Sequence, residues 1–407
     1  MREPYVARGV RAASSCGTLS RMSQHHDPFT AQATTPGTGR PGGGYEGSGT
    51  YDDGGAERYD DVYYDDARYD DERYRPGRLQ RFVTWLLWIL SLPVLALFAA
   101  RLVPDDSITP VAQVVPFFPY GVVAAVPLAV LAVMGRRYVL SLLLLVTVSV
   151  GGYLTAPAFF PSAQQATGAD RAAPGTLRVM SVNTEYGRAD AERVVDLVAG
   201  EAVEVLAVQE LTPEFEEALT AAGLDELLPY KVTGKVAPGS AAGGGIYSAT
   251  ELTERNPGEN STFAMPSAVV DADGTDVRIR CVHPVPPVPG STDVWQRELR
   301  ELGLTARTDD TAQILLGDFN ATWDHATFRA LLGDRFHDAW RDTGAGLERT
   351  WPEGRTLPVA GTAIPALVAI DHVVVDETMR VGDTRSQIVP GTDHRAVLST
   401  IVVSRRD

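Results

Sequence analysis

Three long apolar segments constrain the fold of this chain more than any other feature of its sequence. They run from about 82 to 100, from 111 to 134 and from 138 to 160, and none contains Asp, Glu, Lys or Arg. At 1.5 Å per residue, each is long enough to cross a hydrocarbon layer that is roughly 30 Å thick. The sequence therefore predicts three transmembrane helices within residues 81–160. Helices buried inside a soluble protein are the alternative.

Charged residues around these segments predict their orientation, because Lys and Arg in short loops stay on the cytoplasmic side. Four arginines at positions 73, 75, 78 and 81 precede the first segment, Asp105 and Asp106 follow it, and Arg136 and Arg137 separate the second from the third. We therefore expect a multi-pass protein of the cell membrane, with a cytoplasmic N-terminus and an extracytoplasmic C-terminal part. Since the segments lack charged residues, an anchor is favoured over a transport or sensing unit.

The segments divide the rest of the chain into two unlike parts. Residues 1–80 are rich in Gly, Ser, Pro, Asp and Tyr and lack aliphatic runs, so we expect a disordered cytoplasmic tail. A Tyr-Asp-Asp unit recurs four times in it, either as part of a solvated tail or as an interaction or phosphorylation site. Residues 161–175 are predicted to be a linker, and residues 176–407 have the composition of a globular domain.

Alternating strand and helix signals predict a layered α/β arrangement for this domain. Runs rich in β-branched residues and bounded by turn residues predict strands at 177–183, 203–209, 244–248, 267–271, 277–282, 314–316, 370–375 and 396–403. Apolar periodicity predicts helices at 190–202, 213–222, 294–308 and 325–332. The dipeptide Asp273-Gly274 predicts a hairpin turn between two of the strands.

The run Ile-Leu-Leu-Gly-Asp-Phe-Asn-Ala-Thr at 314–322 carries the most specific chemistry. An apolar strand ends at Gly317 and presents Asp318 and Asn320, whose spacing of two puts both side chains on one face of an extended segment. A carboxylate can take a proton from water, and an amide can donate to a phosphoryl oxygen. By itself the run could equally be a turn, because Gly, Asp and Asn favour turns.

Other strands also end in polar residues. Asn183 and Glu210 end two apolar runs, Asp371 opens another, and the pair Asp393-His394 precedes the last strand. In open α/β layers, ligands tend to bind at strand ends, so these positions are predicted to converge on one crevice.

These segments, in this order, resemble the endonuclease/exonuclease/phosphatase family, which includes pancreatic-type deoxyribonuclease, abasic-site endonucleases, sphingomyelinases and inositol-polyphosphate phosphatases. The resemblance spans nearly the whole of residues 176–407. It implies an α+β fold, a four-layer αββα sandwich, and hydrolysis of a phosphoester by in-line attack of water.

The resemblance also implies a role for each matching residue. It makes Glu210, Asn183 and Asp393 the metal-binding residues, and oxygen ligands of this kind suit Mg²⁺ or Mn²⁺. Asp318 and Asn320 match the pair that orients the attacking water and holds the phosphate. His394 matches the histidine that acts at the phosphate, as a general base or as a donor in the transition state, and Asp371 matches the carboxylate that orients it.

His283 matches a second phosphate-side histidine, with a structural histidine before a proline-rich loop as the alternative. Other features depart from the family. Ala249 stands where the family has an arginine, few basic residues lie near the motifs, and the formal net charge of −16 disfavours binding of long nucleic acid.

We therefore expect a membrane-anchored, Mg²⁺-dependent phosphoester hydrolase, of phosphodiesterase, nuclease or phospholipase type. Its partners would be the lipid bilayer and a nucleic acid, nucleotide or phospholipid headgroup, and the sequence identifies no protein partner. A catalytically silent family member that acts as a membrane-tethered binding module is the alternative.

Overall fold

Residues 77–167, 175–356 and 361–403 are described by the computed structural model. The tail predicted to be disordered, with its Tyr-Asp-Asp units, lies outside them up to residue 76. Three helical segments are long and apolar enough to cross a membrane: Arg78–Leu102, Val111–Met134 and Tyr138–Phe159. They consist of α1 (Arg78–Leu102), then α2 (Val111–Val114) joined to α3 (Phe118–Met134) by the 3-10 turn Val115–Phe117, and α4 (Tyr138–Thr155) with the 3-10 turn Ala156–Phe159.

Small side chains bring these helices close together. A Cβ atom on Gly151 would lie 2.5 Å from a methyl group of Val122, so α3 and α4 can be this close only with glycine there. Such contacts are typical of helix pairs in membranes, where small residues permit close packing. Leu92, Val130 and Leu142 instead face outward and are exposed. An apolar surface of this extent suits an apolar environment.

The strands, all of which lie between Thr176 and Val403, form two six-stranded mixed sheets. The first sheet has the order β11 (Met379–Ile388), β12 (Arg395–Val403), β1 (Thr176–Asn183), β2 (Val205–Gln209), β4 (Gly244–Ser248) and β3 (Tyr230–Gly234). The second sheet has the order β5 (Thr253–Asn256), β6 (Ser267–Asp271), β7 (Asp276–Val282), β8 (Ala312–Asp318), β10 (Asp371–Asp376) and β9 (Phe336–Asp338).

An apolar core between the two sheets holds them face to face. It contains side chains of both, among them Val179 and Ile246 from the first sheet and Ile279, Ile314 and Val373 from the second. Helices α5 (Ala191–Gly200) and α6 (Pro213–Ala221) cover the outer face of the first sheet. Helices α8 (Thr292–Thr308) and α9 (Ala326–Leu332) cover that of the second. The predicted αββα sandwich is confirmed.

Most predicted elements have the expected type and nearly the expected bounds. Asp190 and Thr212 cap α5 and α6 by accepting hydrogen bonds from backbone N–H groups. Asp273 and Gly274 both have positive φ and join β6 to β7, as the hairpin prediction requires. Four strands, β3, β5, β9 and β11, were not predicted, and neither were the short helices α7 (Leu224–Leu227) and α10 (Ala339–Thr343).

The last turn of α1 and the loop between α1 and α2 contact the sandwich near the start of α9. Arg101 forms an ion pair with Asp324 at 2.7 Å, and both side chains are buried. Asp106 accepts a hydrogen bond from the backbone N–H of Thr327 at 3.1 Å. The apolar helices and the sandwich are therefore joined by specific polar contacts.

Candidate active site and metal centre

Polar residues at the ends of four strands meet at one edge of the sandwich. Asn183 is the last residue of β1, and Glu210 follows the parallel strand β2. In the second sheet, Asp318 ends β8 and lies directly opposite Asp371, the first residue of the antiparallel strand β10. The parallel strands β1 and β2 end at the same edge of the first sheet, and the antiparallel strand β10 begins beside the end of β8, so each pair of side chains lies at one edge of its sheet.

The last strand brings two further residues to this edge. Since β12 runs antiparallel to β1, the residues just before it, Asp393 and His394, lie beside the end of β1. The hydroxyl of Thr392 donates to the carbonyl of Asn183 at 2.8 Å and fixes this approach. His283 comes directly after β7, which is parallel to β8.

Unusual backbone conformations position three of these residues. Gly317 has φ +151°, and a Cβ atom there would lie 2.1 Å from the carbonyl oxygen of Val282, so only glycine allows β7 and β8 to approach just before Asp318. Glu210 (φ +56°) and Asn320 (φ +48°) adopt the left-handed conformation. Non-glycine residues in this conformation carry strain and cluster at functional sites.

Asn183 connects the acidic residues of the two sheets. Its Nδ2 donates to Glu210 Oε1 at 3.2 Å and to Asp318 Oδ2 at 3.0 Å, while its Oδ1 accepts from the backbone N–H of Glu185. In this orientation the amide donates to the carboxylates. A rotation of the amide by 180° about the Cβ–Cγ bond would turn Oδ1 towards them. Burial raises the pKa of Glu210, although the N–H of Tyr186 and the amide of Asn183 act in the opposite direction.

His394 lies between Asp371 and Asp318. Its Nδ1 is 3.0 Å from Asp371 Oδ2, and its Nε2 is 3.8 Å from Asp318 Oδ2. Burial alone would lower the pKa of His394, but Asp371, Asp318 and Asp393 raise it to about 10. Burial and the nearby charge of Asp371 raise the pKa of Asp318. The imidazole of His394 is therefore protonated at neutral pH and presents an N–H at Nε2.

His283 faces the same carboxylates but in the neutral form. Its Nε2 is 3.9 Å from both Glu210 Oε1 and Asp318 Oδ2. Burial, together with the charge of His394, lowers the pKa of His283 to about 3. Its Nδ1 is buried and has no hydrogen-bond partner among the described residues, and its ring packs against Phe263 with centroids 4.8 Å apart.

Oxygen donors at this edge fit a divalent cation. Asp318, Asp371 and His394 carry potential ligand atoms within 4.8 Å of one another. Both oxygens of Asp371, however, face the Nδ1 of His394. Glu210 and Asp393 are further carboxylates at this edge, and a cation here would relieve the cost of burying several carboxylates. Carboxylate ligands favour Mg²⁺ or Mn²⁺ over softer metals.

Two residues at the site carried no recognisable sequence signal. Trp351 donates its indole N–H to Asp393 Oδ2 at 3.1 Å, and the Nε of Arg355 lies 3.2 Å from the same oxygen. The expectation that basic residues are scarce near the motifs therefore misses Arg355. It lies 38 positions from Asp393 in an irregular loop, where no spacing rule applies.

The site opens into a cavity of about 420 Å³. Its lining includes six of the predicted site residues: Glu210, His283, Asp318, Asn320, Asp393 and His394. Asn320 is fixed there by two hydrogen bonds, one from its backbone N–H to Asp318 Oδ1 at 2.7 Å and one from its Nδ2 to the carbonyl of Pro284 at 3.1 Å. All eight residues singled out in the sequence thus lie in or beside one cavity.

The family model described as the Endonuclease/Exonuclease/phosphatase family matches residues 180–394. This match covers more than half of the chain and includes all eight residues of the site. The chain belongs to this family. The family and the buried Asp318, Asp371 and His394 group indicate a metal-dependent phosphoesterase or nuclease.

Solved structures with a similar fold include other members of the family, whereas no curated protein matches the sequence. TDP2 from D. rerio, complexed with single strand DNA product, is 16% identical; the match covers 56% of this chain and 98% of that one, with a TM-score of 0.45. An endonuclease/exonuclease/phosphatase from Beutenbergia cavernae is 19% identical, covering 56% of this chain and 72% of that one, with a TM-score of 0.41.

Proposed function

We propose that this protein is a membrane-anchored, Mg²⁺-dependent phosphodiesterase that acts outside the cytoplasm by in-line attack of water. The observation that carries the proposal is the convergence of Glu210, Asp318 and His394 at one end of both sheets, where Asn183 donates to both carboxylates and His394 Nε2 lies 3.8 Å from Asp318 Oδ2. A buried carboxylate with a raised pKa, a protonated imidazole and an acidic pocket for a cation are what such a reaction requires.

Asp318 and Asn320 are assigned to the attacking water and the phosphate. The raised pKa of Asp318 suits it to take a proton from water, and its Oδ2 is held by Asn183. Asn320 is held by the carbonyl of Pro284 through its Nδ2, and its remaining amide proton is available to a phosphoryl oxygen.

His394 is assigned to the charge that develops on the phosphate and on the leaving oxygen. Asp371 keeps its imidazole protonated and oriented, so His394 acts as a donor at neutral pH, and the neutral imidazole of His283 faces the same region. Glu210 and Asp393 would hold Mg²⁺, and the Nδ2 of Asn183, which donates to Glu210 Oε1, would orient the first of these carboxylates. The ion would supply positive charge to the phosphoryl oxygens.

The contacts of the first loop support the proposed orientation in the membrane. Asp105 and Asp106, between α1 and α2, accept hydrogen bonds from the sandwich, so this loop and the site lie on the same side of the helices. Arg136 and Arg137 lie at the turn between α3 and α4. Arg101, in the last turn of α1, is buried in an ion pair with Asp324, so the first loop offers no free arginine, whereas the turn between α3 and α4 carries two arginines.

Hydrolysis of bis(p-nitrophenyl) phosphate by the full-length protein in detergent tests this function. We expect turnover with Mg²⁺ that stops when a chelator is added and resumes when Mg²⁺ is restored in excess. Glu210→Gln removes the charge that would hold the ion and should lower kcat/KM at least 100-fold. Glu259→Gln, at an exposed position, is the matched control and should have no effect.

A catalytically silent binding module would give a different result. The wild-type protein would then bind Mg²⁺ or lipid without turning over any phosphodiester, and Glu210→Gln would change binding alone. Turnover that persists in the chelator, or that Glu210→Gln leaves intact, contradicts the assignment of this site.

A further inference from the structure

The cavity that holds the catalytic residues is walled in part by the second apolar helical segment. Ala112 and Gln113 of α2 and Pro116 and Phe117 of the following turn line it together with the site residues. These four residues lie within the first seven positions of the segment Val111–Met134, which is long and apolar enough to span a membrane. At 1.5 Å per residue, the wall extends roughly 10 Å along that segment.

Direct contacts fix this wall to the sandwich. The backbone N–H of Thr322 donates to His325 Nδ1, so the ring proton is on Nε2, which donates to the carbonyl of Ala112 at 2.8 Å. The side-chain amide of Gln113 donates to the carbonyl of Pro287. Tyr120, in the first turn of α3, donates a hydrogen bond from its hydroxyl to the carbonyl of Leu367 at 2.6 Å. The helix therefore belongs to the cavity and is not merely a tether.

The lining of the cavity has a polar part and an apolar part. The catalytic residues form the polar part, whereas Phe117, Phe263, Val288, Val368 and Ile370 contribute apolar surface. Phe117 and Val288 are exposed, at 39% and 51% of their maximal areas. A cavity of this kind fits a ligand with a phosphoester at one end and hydrocarbon at the other.

The charge of the lining argues against a long polyanion. Among the described residues that line the cavity, Arg355 is the one guanidinium, whereas Glu185, Glu210, Asp318 and Asp393 are carboxyl groups. Proteins that bind nucleic acid neutralise its phosphates with several Lys and Arg side chains. A duplex or single strand would also have to pass between the sandwich and the bilayer in which Val111–Met134 is anchored.

The geometry points to a glycerophospholipid as the substrate, held with its phosphodiester at the catalytic residues and its acyl chains along Phe117 and the start of α3. This inference rests on the proposed phosphodiesterase function. In the reaction, the oxygen of water bonds to phosphorus, one ester P–O bond breaks, Asp318 takes a proton from the water, and His394 gives a proton to the leaving oxygen. The products are an alcohol and a phosphomonoester.

The full-length protein reconstituted in vesicles of phosphatidylcholine and phosphatidylglycerol tests the proposal by mass spectrometry of the lipid products. Bis(p-nitrophenyl) phosphate and a single-stranded DNA oligonucleotide are assayed in parallel. We expect Mg²⁺-dependent cleavage of lipid and little or no cleavage of DNA. Phe117→Ala should lower the ratio of lipid turnover to bis(p-nitrophenyl) phosphate turnover about tenfold.

Phe82→Ala is the matched control, because Phe82 is an exposed phenylalanine of α1 outside the cavity lining, and it should leave the ratio unchanged. Turnover of bis(p-nitrophenyl) phosphate without lipid cleavage, or preferential cleavage of DNA, overturns the lipid proposal and leaves the phosphodiesterase function standing. An equal fall in the ratio for both variants also overturns it. Absence of turnover on all three substrates overturns the phosphodiesterase function itself.

Discussion

The amide Nδ2 of Asn183 lies 3.0 Å from Asp318 Oδ2 and 3.2 Å from Glu210 Oε1, so one side chain of the first sheet holds carboxylates from both sheets. Asn183 is almost completely buried. The two halves of the site, one assigned to the metal and one to the attacking water, therefore share a single donor. The position of each carboxylate depends on the other sheet.

Replacement of Asn183 by Ala should remove this link. Both carboxylates lose a buried hydrogen bond, so we expect kcat/KM to fall at least 100-fold and the Mg²⁺ concentration for half-maximal activity to rise. Steady-state kinetics over a Mg²⁺ series measures both quantities. Asn260→Ala, at an exposed position, is the control, and equal kinetics for the two variants would refute the role of Asn183.

Replacement of Asp371 by Asn should reveal its effect on His394. The loss of its negative charge destabilises the imidazolium, so the pKa of His394 falls and the high-pH limb of the rate profile moves to lower pH. We also expect kcat to fall about 100-fold, because the imidazole loses an acceptor that orients it. A pH profile of kcat/KM for the wild-type and variant proteins is the measurement.

Asp334→Asn, at an exposed position, should leave that profile unchanged. If Asp371→Asn lowers the rate without any shift of the high-pH limb, then Asp371 supports the fold and does not set the protonation of His394.

Replacement of Gly317 by Ala should destabilise the sandwich. The new Cβ would lie 2.1 Å from the carbonyl oxygen of Val282, and the backbone has φ +151°. We expect the free energy of unfolding to fall by about 3 kcal/mol. Thermal denaturation should show this as a midpoint lowered by several degrees, whereas Gly200→Ala, where the Cβ meets open space, should leave the midpoint unchanged or raise it.

The contact between His325 and Ala112 should make stability depend on pH. Burial lowers the pKa of His325 below its ordinary value of 6.5, although Asp106 and Asp324 act in the opposite direction. The unfolded chain therefore binds a proton at a higher pH than the folded protein, so stability rises as the pH increases towards 6.5 and then levels off. The thermal midpoint should fall on acidification below 6.5.

His325→Gln removes the titrating group and keeps a side chain that can donate to Ala112. The fall of the midpoint between pH 6.5 and 5 should be smaller in this variant than in the wild-type protein. The same fall in both proteins would mean that other groups cause the pH dependence.

The positions of the candidate site residues in the fold could be predicted from the sequence because these residues end apolar, β-branched strands. Asn183, Glu210 and Asp318 each follow a run that is completely or largely buried, and hydrophobic pattern alone locates such runs. The strands that were missed lack this pattern. All four residues of β5 are exposed, and most residues of β11 after Gly382 are only partly buried.

The wall that the second apolar segment contributes to the cavity could not be predicted from the sequence for a different reason. Ala112 lies 213 positions from His325, and Arg101 lies 223 positions from Asp324, so no local spacing brings either pair together. The apolar segment around Ala112 predicts a membrane helix whatever its neighbours are. Only the folded structure, in which Ala112 accepts a hydrogen bond from His325, shows that this helix also lines the cavity of the candidate site.

Hydrolysis of bis(p-nitrophenyl) phosphate in water enriched in ¹⁸O tests the central claim most directly. If water attacks phosphorus at this site, the p-nitrophenyl phosphate product of the Mg²⁺-loaded wild-type protein carries one ¹⁸O atom, the p-nitrophenol carries none, and Glu210→Gln forms at least 100-fold less of either product. Incorporation of ¹⁸O into the p-nitrophenol would contradict attack of water on phosphorus. Equal formation of labelled product by Glu210→Gln would contradict the assignment of the reaction to this site.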